Sequence, residues 1–392
     1  MRTFFLIIGL GLSVASASAG ADRSQSNEAA RAEAVLHYAD VVHAAYVDAQ
    51  GGAQRLQESV EKFCARPDEA GLQACRKAWE RARQPYAVTE AFRFYGGPVD
   101  DASGPEGLMN AWPVDEAWLE SGDGRGLIED ETTWPEITAE ALRAANQKEG
   151  EKNIASGWHA LEFLLWGKDE SLEGPGQRPW TDFTSAPHAE RRTAALRVLA
   201  QALGQDLEGL VQAWSPSVSG NYRSRFLQME TAEAARCMLT GLIYLSGQEM
   251  AGERLNVALE TRDQEDEQSC FSDTTTQDLR HNLLGLQTVW AGTYESIFIA
   301  ENDVSGEGLQ KACHALDPAM ADAVTAALNR CAQLAASLPE PFDRAIQNPD
   351  GSHERRMYQE MRAELEQLSN LFQAVADKMS LQIIAGGAFY NG

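Results

Sequence analysis

Apolar residues recur along this chain at intervals of three and four positions, which is the spacing of one face of an α-helix. Two stretches, residues 96–135 and 167–190, lack the pattern and are rich in glycine and proline. Four others show it over several turns: residues 72–86, 196–214, 279–297 and 357–379. No stretch bounded by turn residues alternates apolar and polar positions, so little β-sheet is expected. The pattern predicts an all-α protein with long ordered loops.

The length of the chain, 392 residues, fits one large domain or two of ordinary size. An acidic polar segment, Thr261 to Ser269, separates two helical stretches. We place a boundary there, which predicts one helical bundle over residues 20–260 and a second over residues 261–392, although helices could cross it. A short likeness between residues 156–159 and 240–243 is compatible with an internal duplication.

The chain is strongly acidic, with 58 acidic against 33 basic residues and a net charge of −25. Nucleic acids and anionic membranes bind basic patches, so neither is expected as a partner. A negative charge permits cationic partners, metal ions among them. The composition therefore narrows the class of ligand without identifying a site.

The N-terminus has the features of a secretory signal peptide over residues 1–19. Arg2 provides the positive charge, residues 4–12 form a short apolar run, and Ala17 and Ala19 belong to a small-residue cleavage pattern. The run is shorter than the roughly 20 apolar residues that span a bilayer, and no later stretch resembles a transmembrane helix. We therefore expect an exported protein whose mature chain has no transmembrane segment.

Six cysteines stand at positions 64, 75, 237, 270, 313 and 331. An even number of cysteines in an exported chain indicates disulfide bonds. Cys64 and Cys75 flank residues 66–71, which have the composition of a turn between two helices, so we expect these two to pair. The other four allow three pairings, between which the sequence does not decide.

The most informative segment is the helix predicted from Ile154 to Trp166, which is apolar on nearly all sides and therefore expected to be buried. Its only ionisable residues, His159 and Glu162, are three positions apart and share a face. A buried carboxylate costs several kcal/mol unless it has a partner or a metal. The pair is therefore either a core histidine bonded to a glutamate or two inward metal ligands. Gly157 has no side chain, which would let another backbone segment approach.

A second polar group follows the apolar stripe of residues 72–86. Continuing that stripe brings Thr89 or Glu90, and then Arg93, onto the core face of the helix. Glu90 and Arg93 could form an inward ion pair across one turn. Alternatively, Glu90 is a metal ligand and Arg93 fixes it or binds an anionic group. The following loop adds Asp100 and Asp101 after a turn that glycine and proline make rigid.

One imidazole and several carboxylates form a ligand set that suits iron, manganese, zinc or calcium. The sequence has no H-E-x-x-H segment, so a zincin-type peptidase would lack its two histidines. Serine-hydrolase and P-loop motifs are also absent from it. The segment Ser269–Thr274 is typical of a loop that leads into a helix, with Asp273 or a neighbouring threonine as the N-cap.

These segments resemble one known family. Residues 157–162, Gly-Trp-His-Ala-Leu-Glu, are similar to the Gly-x-His-x-x-Glu motif of the imelysin family, also classified as M75 peptidases. Residues 83–100 resemble its second hallmark block, and residues 269–273 and 282–292 resemble the subgroup named iron-regulated protein A. The resemblance covers most of the mature chain.

The resemblance implies a periplasmic or cell-envelope protein of two helical bundles, with a site where the bundles meet. The peptidase label implies proteolysis, whereas the iron-regulated members and a related component of a ferrous-iron uptake system imply iron binding or delivery. In that component a glutamate and an aspartate upstream of the His-x-x-Glu are the suspected co-ligands. Carried over to this chain, they are Glu90 and Asp100, beside His159 and Glu162, with Asp101 next to Asp100.

We therefore expect an exported metal-binding protein in iron acquisition, with iron as the favoured divalent metal, zinc as the second, and an envelope transport protein as a candidate partner. Glu90, Asp100, His159 and Glu162 would be the ligands, with Arg93 in support. One alternative is a zinc metallopeptidase in which Glu162 or Glu90 is the general base. Another is a haem- or polymer-binding scaffold in which His159 and Glu162 only hold helices together.

Overall fold

The helices expected from the apolar spacing make up most of the chain. The computed structural model describes the backbone of residues 12–383 and the side chains of residues 27–383. The side chains of the predicted signal peptide, residues 1–19, lie outside this range, so export stays a prediction. Within this range, no helix combines the length and the apolarity that a membrane span requires.

Fifteen α-helices and one two-stranded antiparallel ribbon are present in the described part of the chain. The helices are α1 (Leu12–Ala65), α2 (Glu69–Thr89), α3 (Glu106–Met109), α4 (Glu116–Leu119), α5 (Ala139–Ala145), α6 (Gly157–Trp166), α7 (Ala189–Trp214), α8 (Tyr222–Phe226), α9 (Thr231–Tyr244), α10 (Ala258–Thr261), α11 (Thr275–Ala291), α12 (Leu309–Leu316), α13 (Pro318–Ser337), α14 (Phe342–Gln347) and α15 (His353–Lys378). The strands are β1 (Thr293–Tyr294) and β2 (Val304–Ser305), and a π-helical segment, Leu245–Val257, joins α9 to α10. Short 3₁₀ turns are formed by Glu90–Phe92, Trp180–Phe183, Gln264–Asp266 and Ala300–Asn302. The all-α prediction is confirmed.

The helices pack around one apolar core. Helix α1 lies along α2 and α7, α2 also packs on α11, and α15 packs on α9, on the π-helical segment and on α13. Buried apolar side chains between Ala30 and Leu381 form one continuous cluster. The core thus extends across the predicted boundary between residues 260 and 261. The division into two bundles stays a prediction, and an internal duplication is not confirmed.

Two helix ends differ from the apolar pattern, and both involve glycine. The stripe of residues 279–297 predicts a helix through Ile297, but α11 ends at Ala291 because Gly292 adopts a φ of 78°, a left-handed conformation that ends helices. Tyr294 is buried as the pattern predicts, but it belongs to strand β1 and not to a helix. The helix predicted from Ile154 begins instead at Gly157.

The irregular segments are ordered by polar contacts. Arg191 of α7 donates hydrogen bonds to four backbone carbonyls within residues 127–135. Glu129 accepts hydrogen bonds from four backbone amides within residues 121–126. These bonds satisfy backbone groups that have no helix or strand partner, and they give the long loops a fixed conformation.

The expected disulfide bonds are not formed, because all six cysteines, each of them in the described range, are free and buried. Cys64 packs towards α7, with its Sγ 3.9 Å from the carbonyl oxygen of Thr193. Cys75 is fully buried on the core face of α2. The bond that the intervening turn predicts between Cys64 and Cys75 is therefore absent, because the Cys64 thiol packs against α7 and Cys75 packs in the core.

Candidate functional site

Helix α6 places the Gly-x-His-x-x-Glu residues in the centre of the protein, and Gly157 determines how this helix begins. Gly157 has a φ of 82°, and a Cβ atom added to it would lie 2.2 Å from the carbonyl oxygen of Met109. The hydroxyl of Ser156 donates a hydrogen bond to the carbonyl oxygen of Leu108 (2.8 Å). Because only glycine permits so close an approach, the segment that carries Asn110 lies directly against the start of α6.

His159 and Glu162 form a closed hydrogen-bonded pair in the interior. His159 Nδ1 lies 2.8 Å from Glu162 Oε2, and both side chains are buried. Arg83 Nη2 lies 3.4 Å from His159 Nε2. A guanidinium can only donate, so Nε2 is the acceptor and the Nδ1 proton is donated to Glu162. The other carboxylate oxygen of Glu162 accepts hydrogen bonds from the amide (2.9 Å) and the hydroxyl (2.6 Å) of Ser272.

Burial changes the pKa of both members of the pair. Desolvation raises the pKa of Glu162 to about 8, against the opposing effect of the two hydrogen bonds from Ser272. Desolvation and the nearby charge of Arg83 lower the pKa of His159 well below its ordinary value. The imidazole is therefore neutral at physiological pH. The pair holds α6 against α2 and against the segment Ser269–Thr274, which we call the site loop.

Arg83 connects this pair to the rest of the buried network. Its Nε lies 3.1 Å from Asp278 Oδ1, and it also donates a hydrogen bond to the side-chain oxygen of Asn110. Asp278 accepts a further hydrogen bond from the hydroxyl of Ser269 (2.6 Å). A buried guanidinium requires such a carboxylate partner. Arg83 also occupies the space beside His159 Nε2 in which a metal ion would have to lie.

Glu90 is surrounded by arginines. Its Oε2 accepts hydrogen bonds from Arg93 Nη1 (2.9 Å) and from Arg254 Nη2. Its Oε1 accepts one from the side chain of Asn110 (3.3 Å). Burial acts to raise the pKa of Glu90, but the charges of these two arginines and of Arg83 outweigh it and lower the pKa to about 2. Glu90 is therefore ionised at physiological pH, and both of its oxygens are occupied.

The π-helical segment contributes Arg254 to this network. Arg254 Nη1 donates a hydrogen bond to the side-chain oxygen of Asn282 (2.6 Å), and Nη2 lies 3.4 Å from Glu249 Oε2. Asn282 in turn donates to the carbonyl oxygen of Ala87 on α2 (2.9 Å). Segments of π-helix frequently occur at functional sites, and this one places a basic and an acidic side chain beside Glu90.

A cavity of about 400 Å³ lies on the outer side of the network. One guanidinium, that of Arg93, contributes to its lining, and its Nη2 lies 2.9 Å from Glu106 Oε1. Five residues contribute carboxylates: Asp100, Asp101, Glu106, Glu249 and Glu253. The excess of carboxylates gives the cavity a negative potential. We call it the acidic cavity.

The two aspartates of the acidic cavity are held by the backbone of their own loop. Asp100 accepts hydrogen bonds from the amides of Phe94 and Gly97, the latter at 2.9 Å. Burial raises the pKa of Asp100 in spite of these bonds. Asp101 is exposed and accepts hydrogen bonds from the amide (2.8 Å) and hydroxyl (2.9 Å) of Ser103. Both carboxylates are thus fixed in position at the cavity.

The structure divides the predicted site residues between two places. His159 and Glu162 lie in the interior and are not part of the cavity lining. Hydrogen bonds from His159 through Arg83 to Asn110, and from Asn110 to Glu90, connect the inner pair to the cavity wall. Three of the predicted residues line the acidic cavity: Arg93, Asp100 and Asp101.

The four predicted ligands do not form one coordination sphere. Among the described residues, no three of Glu90, Asp100, His159 and Glu162 bring ligand atoms within 4.8 Å of one another. A catalytic zinc needs three protein ligands and an open position. The side chains as arranged here do not fit one resident metal ion at this place, and the geometry does not favour the zinc-peptidase alternative.

Several residues that organise this site were not recognised from the sequence. Arg83 follows Trp79 by four positions on the same stripe, so the helical spacing could have placed it in the core. The sequence predicts only a capping role for the loop that contains Ser272. In the structure the N-cap of α11 is Thr274, which makes no side-chain capping bond, and Ser272 donates hydrogen bonds to Glu162. The others reach the site from distant segments and have no local signal: Asn110, Arg254, Asp278 and Asn282.

The helices and the site segments have counterparts in known proteins. The profile of the family described as imelysin, peptidase M75, matches residues 42–368. The chain belongs to the imelysin family. One protein with a similar sequence is iron-regulated protein A of Synechococcus elongatus. It is 27% identical over 319 residues, which cover 79% of this imelysin and 76% of the relative.

Two solved structures have the same fold as this imelysin. One is a protein of Parabacteroides distasonis with the provisional name iron-regulated protein A precursor; it is 17% identical, with a TM-score of 0.68, and the match covers 89% of this chain and 95% of that one. The other is an imelysin-like protein of Psychrobacter arcticum, 19% identical with a TM-score of 0.65, covering 91% and 98%. At these identities the likeness establishes the fold, and the chemistry has to be argued from the residues of this chain.

Proposed function

We propose that this imelysin binds iron in the acidic cavity, as a hydrated cation or a small cationic complex, and acts in iron acquisition after export to the periplasm or cell envelope. The observation that carries the proposal is the lining of the cavity, where five carboxylates accompany a single guanidinium. Such a lining attracts cations and repels anions. The name of its relative, iron-regulated protein A, supports iron as the cation.

The size of the cavity supports a hydrated or complexed ion rather than a bare one. Six water molecules at about 30 Å³ each occupy roughly 180 Å³, which fits within the cavity of about 400 Å³. A hydrated ion does not need three protein ligands in direct contact, so the dispersed positions of the carboxylates are compatible with it. Binding of this kind suits a cargo that is to be released again.

Neighbouring groups hold the cavity side chains in place before any ligand arrives. Arg93 is fixed between Glu90 and Glu106 at 2.9 Å from each, and Asp100 is fixed by two backbone amides. Preorganised charges reduce the entropy lost on binding. Arg93 would contact an anionic group of an iron complex, while the carboxylates contact the cation or its water.

The inner pair supports this cavity from behind. His159 bonds to Arg83, Arg83 bonds to Asn110, and Asn110 is part of the cavity lining. The pair therefore positions a wall residue without being in contact with the cavity itself. The sequence instead predicts that His159 and Glu162 are direct metal ligands, which would place the iron at the inner pair and not in the acidic cavity. Binding measurements on variants can distinguish these two locations.

Anaerobic titration calorimetry with Fe²⁺ tests the proposal, with Zn²⁺ and Mn²⁺ for comparison. The variant to be measured is Asp101→Asn/Glu253→Gln, because both residues line the cavity and are exposed, so that folding should be unaffected. Each such charge contributes roughly 1 kcal/mol to the attraction of a nearby cation. The double variant should therefore bind Fe²⁺ about 10- to 30-fold more weakly than wild type.

Glu136→Gln/Glu140→Gln is the matched control, because it removes the same charge from two exposed positions outside the cavity. It should bind as wild type does. Equal affinities of wild type and the cavity variant would refute the acidic cavity as the iron site. If a folded His159→Ala/Glu162→Ala variant loses binding while the cavity variant retains it, the iron lies at the inner pair.

The export part of the proposal has a separate test. Expression of the full chain in a bacterium with a periplasm, followed by fractionation and N-terminal sequencing, should give a periplasmic protein that begins at Gly20. A protein retained in the cytoplasm with its first 19 residues uncleaved would contradict export.

A further inference from the structure

A second cluster of carboxylates lies at the site loop and is not part of the lining of the acidic cavity. Asp169, Asp273 and Asp343 each offer an oxygen atom, and these atoms lie within 4.8 Å of one another. Glu267 adjoins Asp343 and completes the cluster. We call these four residues the acid cluster, and nothing in the iron proposal depends on them.

Four separate parts of the chain bring these carboxylates together. Asp169 lies three residues after the end of α6, and Glu267 follows the 3₁₀ turn Gln264–Asp266. Asp273 belongs to the site loop, where its φ of 57° is in the left-handed region. Asp343 is the second residue of α14. No sequence spacing predicts such a meeting, and no single helix end or turn accounts for it.

Three of the four carboxylates in the acid cluster accept no hydrogen bond of good geometry from the described residues. Asp343 and Glu267 are 0% and 1% exposed. In the part of the chain that the structure describes, no hydrogen bond of good geometry reaches either carboxylate oxygen of Asp343, Glu267 or Asp273. Their near neighbours are mainly each other: Glu267 lies beside Asp343 and Thr275, and Asp273 lies beside Asp169. Asp169 accepts hydrogen bonds from the amide of Ser171 (3.0 Å) and the side chain of Gln264 (2.6 Å).

Basic residues do not compensate this negative charge. The ion pairs found among residues 27–383 include none to any of the four carboxylates. Glu90, which is equally buried, has two arginines in contact with it. Each ionised carboxylate that is buried without a cation destabilises the folded state by several kcal/mol. Buried acids avoid this cost when they are protonated or when they bind an ion. Burial and the neighbouring acids raise the pKa of Asp273 to about 8.

The ligand atoms of the acid cluster are all carboxylate oxygens, which selects hard cations. Calcium takes six to eight oxygen ligands at about 2.3–2.6 Å, so two ligands on opposite sides of the ion are up to about 5 Å apart. The separations of 4.8 Å or less among Asp169, Asp273 and Asp343 are compatible with this sphere, and Glu267 lies beside Asp343. Asp273 is partly exposed, which gives an ion and its remaining water ligands a route to the solvent.

We propose that Asp169, Glu267, Asp273 and Asp343 bind a divalent cation of the calcium class. The ion binds between three elements: the site loop, helix α14 and the segment that follows α6. It neutralises the charge of the unpaired acids. Because Asp273 directly follows Ser272, the ion also fixes the loop that donates two hydrogen bonds to Glu162.

Calcium titration of the full chain, freed of metal with a chelator, tests this proposal. Calorimetry should show one Ca²⁺ per chain, and Ca²⁺ should raise the midpoint of thermal unfolding. Asp343→Asn and Glu267→Gln should each weaken binding at least ten-fold and remove the thermal shift. Without calcium, both variants should be at least as stable as wild type, since each removes a repulsive charge.

Two controls locate the effect. Glu170→Gln alters an exposed acid next to Asp169 and should retain both the affinity and the thermal shift. The cavity variant Asp101→Asn/Glu253→Gln should also retain them, so the acid cluster and the iron proposal can fail independently. If Asp343→Asn does not fold, the partly exposed Asp273→Asn provides the same measurement.

Two outcomes would overturn the inference. The first is the absence of binding by wild type at millimolar Ca²⁺, Mg²⁺ or Mn²⁺ near neutral pH, which would mean that the acids hold protons instead. The second is calcium binding that persists unchanged in Asp343→Asn and in Glu267→Gln, which would place the ion elsewhere on this acidic protein.

Discussion

Replacing Gly157 with alanine should destabilise the protein strongly, because the start of α6 has no room for a side chain. At a φ of 82°, alanine costs about 1 kcal/mol of backbone strain. The new Cβ atom would also lie 2.2 Å from the carbonyl oxygen of Met109 and 2.7 Å from that of Leu108. Carbon and oxygen atoms need more than 3 Å, so this neighbouring segment must move by about 1 Å.

That movement would disturb identifiable hydrogen bonds. The bond from Ser156 to the carbonyl oxygen of Leu108 (2.8 Å) contributes about 1 kcal/mol. Asn110 bonds to the charged groups of Arg83 and Glu90, and weakening such charged bonds costs about 2 kcal/mol. Together with the backbone strain, Gly157→Ala should lower the free energy of unfolding by about 4 kcal/mol.

Two other glycines separate the contributions to this effect. Gly220 has a φ of 71° with no atom within 4 Å of an added Cβ, so Gly220→Ala should cost only the backbone strain, about 1 kcal/mol. Gly209 lies within α7 with equally open space around an added Cβ. Gly209→Ala should stabilise the helix by about 0.5–1 kcal/mol.

Urea denaturation followed by circular dichroism gives the free energy of unfolding of all three variants. The expected order of stability is Gly209→Ala, wild type, Gly220→Ala and then Gly157→Ala. If Gly157→Ala were no less stable than Gly220→Ala, the close approach would have no energetic consequence. Gly157 would then not be the residue that positions the wall of the acidic cavity.

Three further changes test the buried network. Ser272→Ala removes the hydroxyl donor to Glu162, so we expect a loss of about 2 kcal/mol in urea denaturation at pH 7. The pKa of Glu162, raised to about 8, means that the folded state holds its proton more tightly than the unfolded state does. Its contribution to stability is therefore complete below about pH 4.5 and lost as the pH rises to 8. Denaturation at pH 5, 6.5 and 8 should show a shallower decline for Glu162→Gln than for wild type, and equal slopes would contradict the raised pKa. Arg254→Met leaves Glu90 with fewer positive neighbours and should cost about 3–5 kcal/mol; adding Glu90→Gln should recover part of this loss, and a double variant no more stable than Arg254→Met would show that the ion pair is not its cause.

The helices could be predicted from the sequence because each one buries a stripe of its own residues. The stripe at residues 196–214 falls within α7, and the stripe at residues 357–379 falls almost entirely within α15. The errors occur where one backbone conformation overrides the stripe. At Gly292 a positive φ ends α11, although apolar residues continue at helical spacing beyond it. Periodicity records which side chains are buried but does not record where the backbone turns.

The burial of the site residues could also be predicted, but their partners could not. Glu90, Arg93, His159 and Glu162 were placed on core faces by spacing alone, and all four are buried. The partner that decides the state of Glu90, Arg254, is 164 positions away in the chain. A buried carboxylate looks the same in a sequence whether an arginine or a metal ion compensates it, so the chemistry of the site depends on tertiary contacts.

The site loop explains why the acid cluster and the inner pair should respond to each other. Ser269 donates to Asp278, Ser272 donates to Glu162, and Asp273 belongs to the acid cluster. Since the N-cap of α11 makes no side-chain capping bond, these contacts determine where the loop lies. A cation bound at Asp273 would hold Ser272 against Glu162 and keep its two donors in place, which favours the ionised carboxylate and lowers its pKa. The hydrogen-bond partners of Glu90 within residues 27–383 are Arg93, Asn110 and Arg254, all outside this loop, so its ionisation should not depend on the cation.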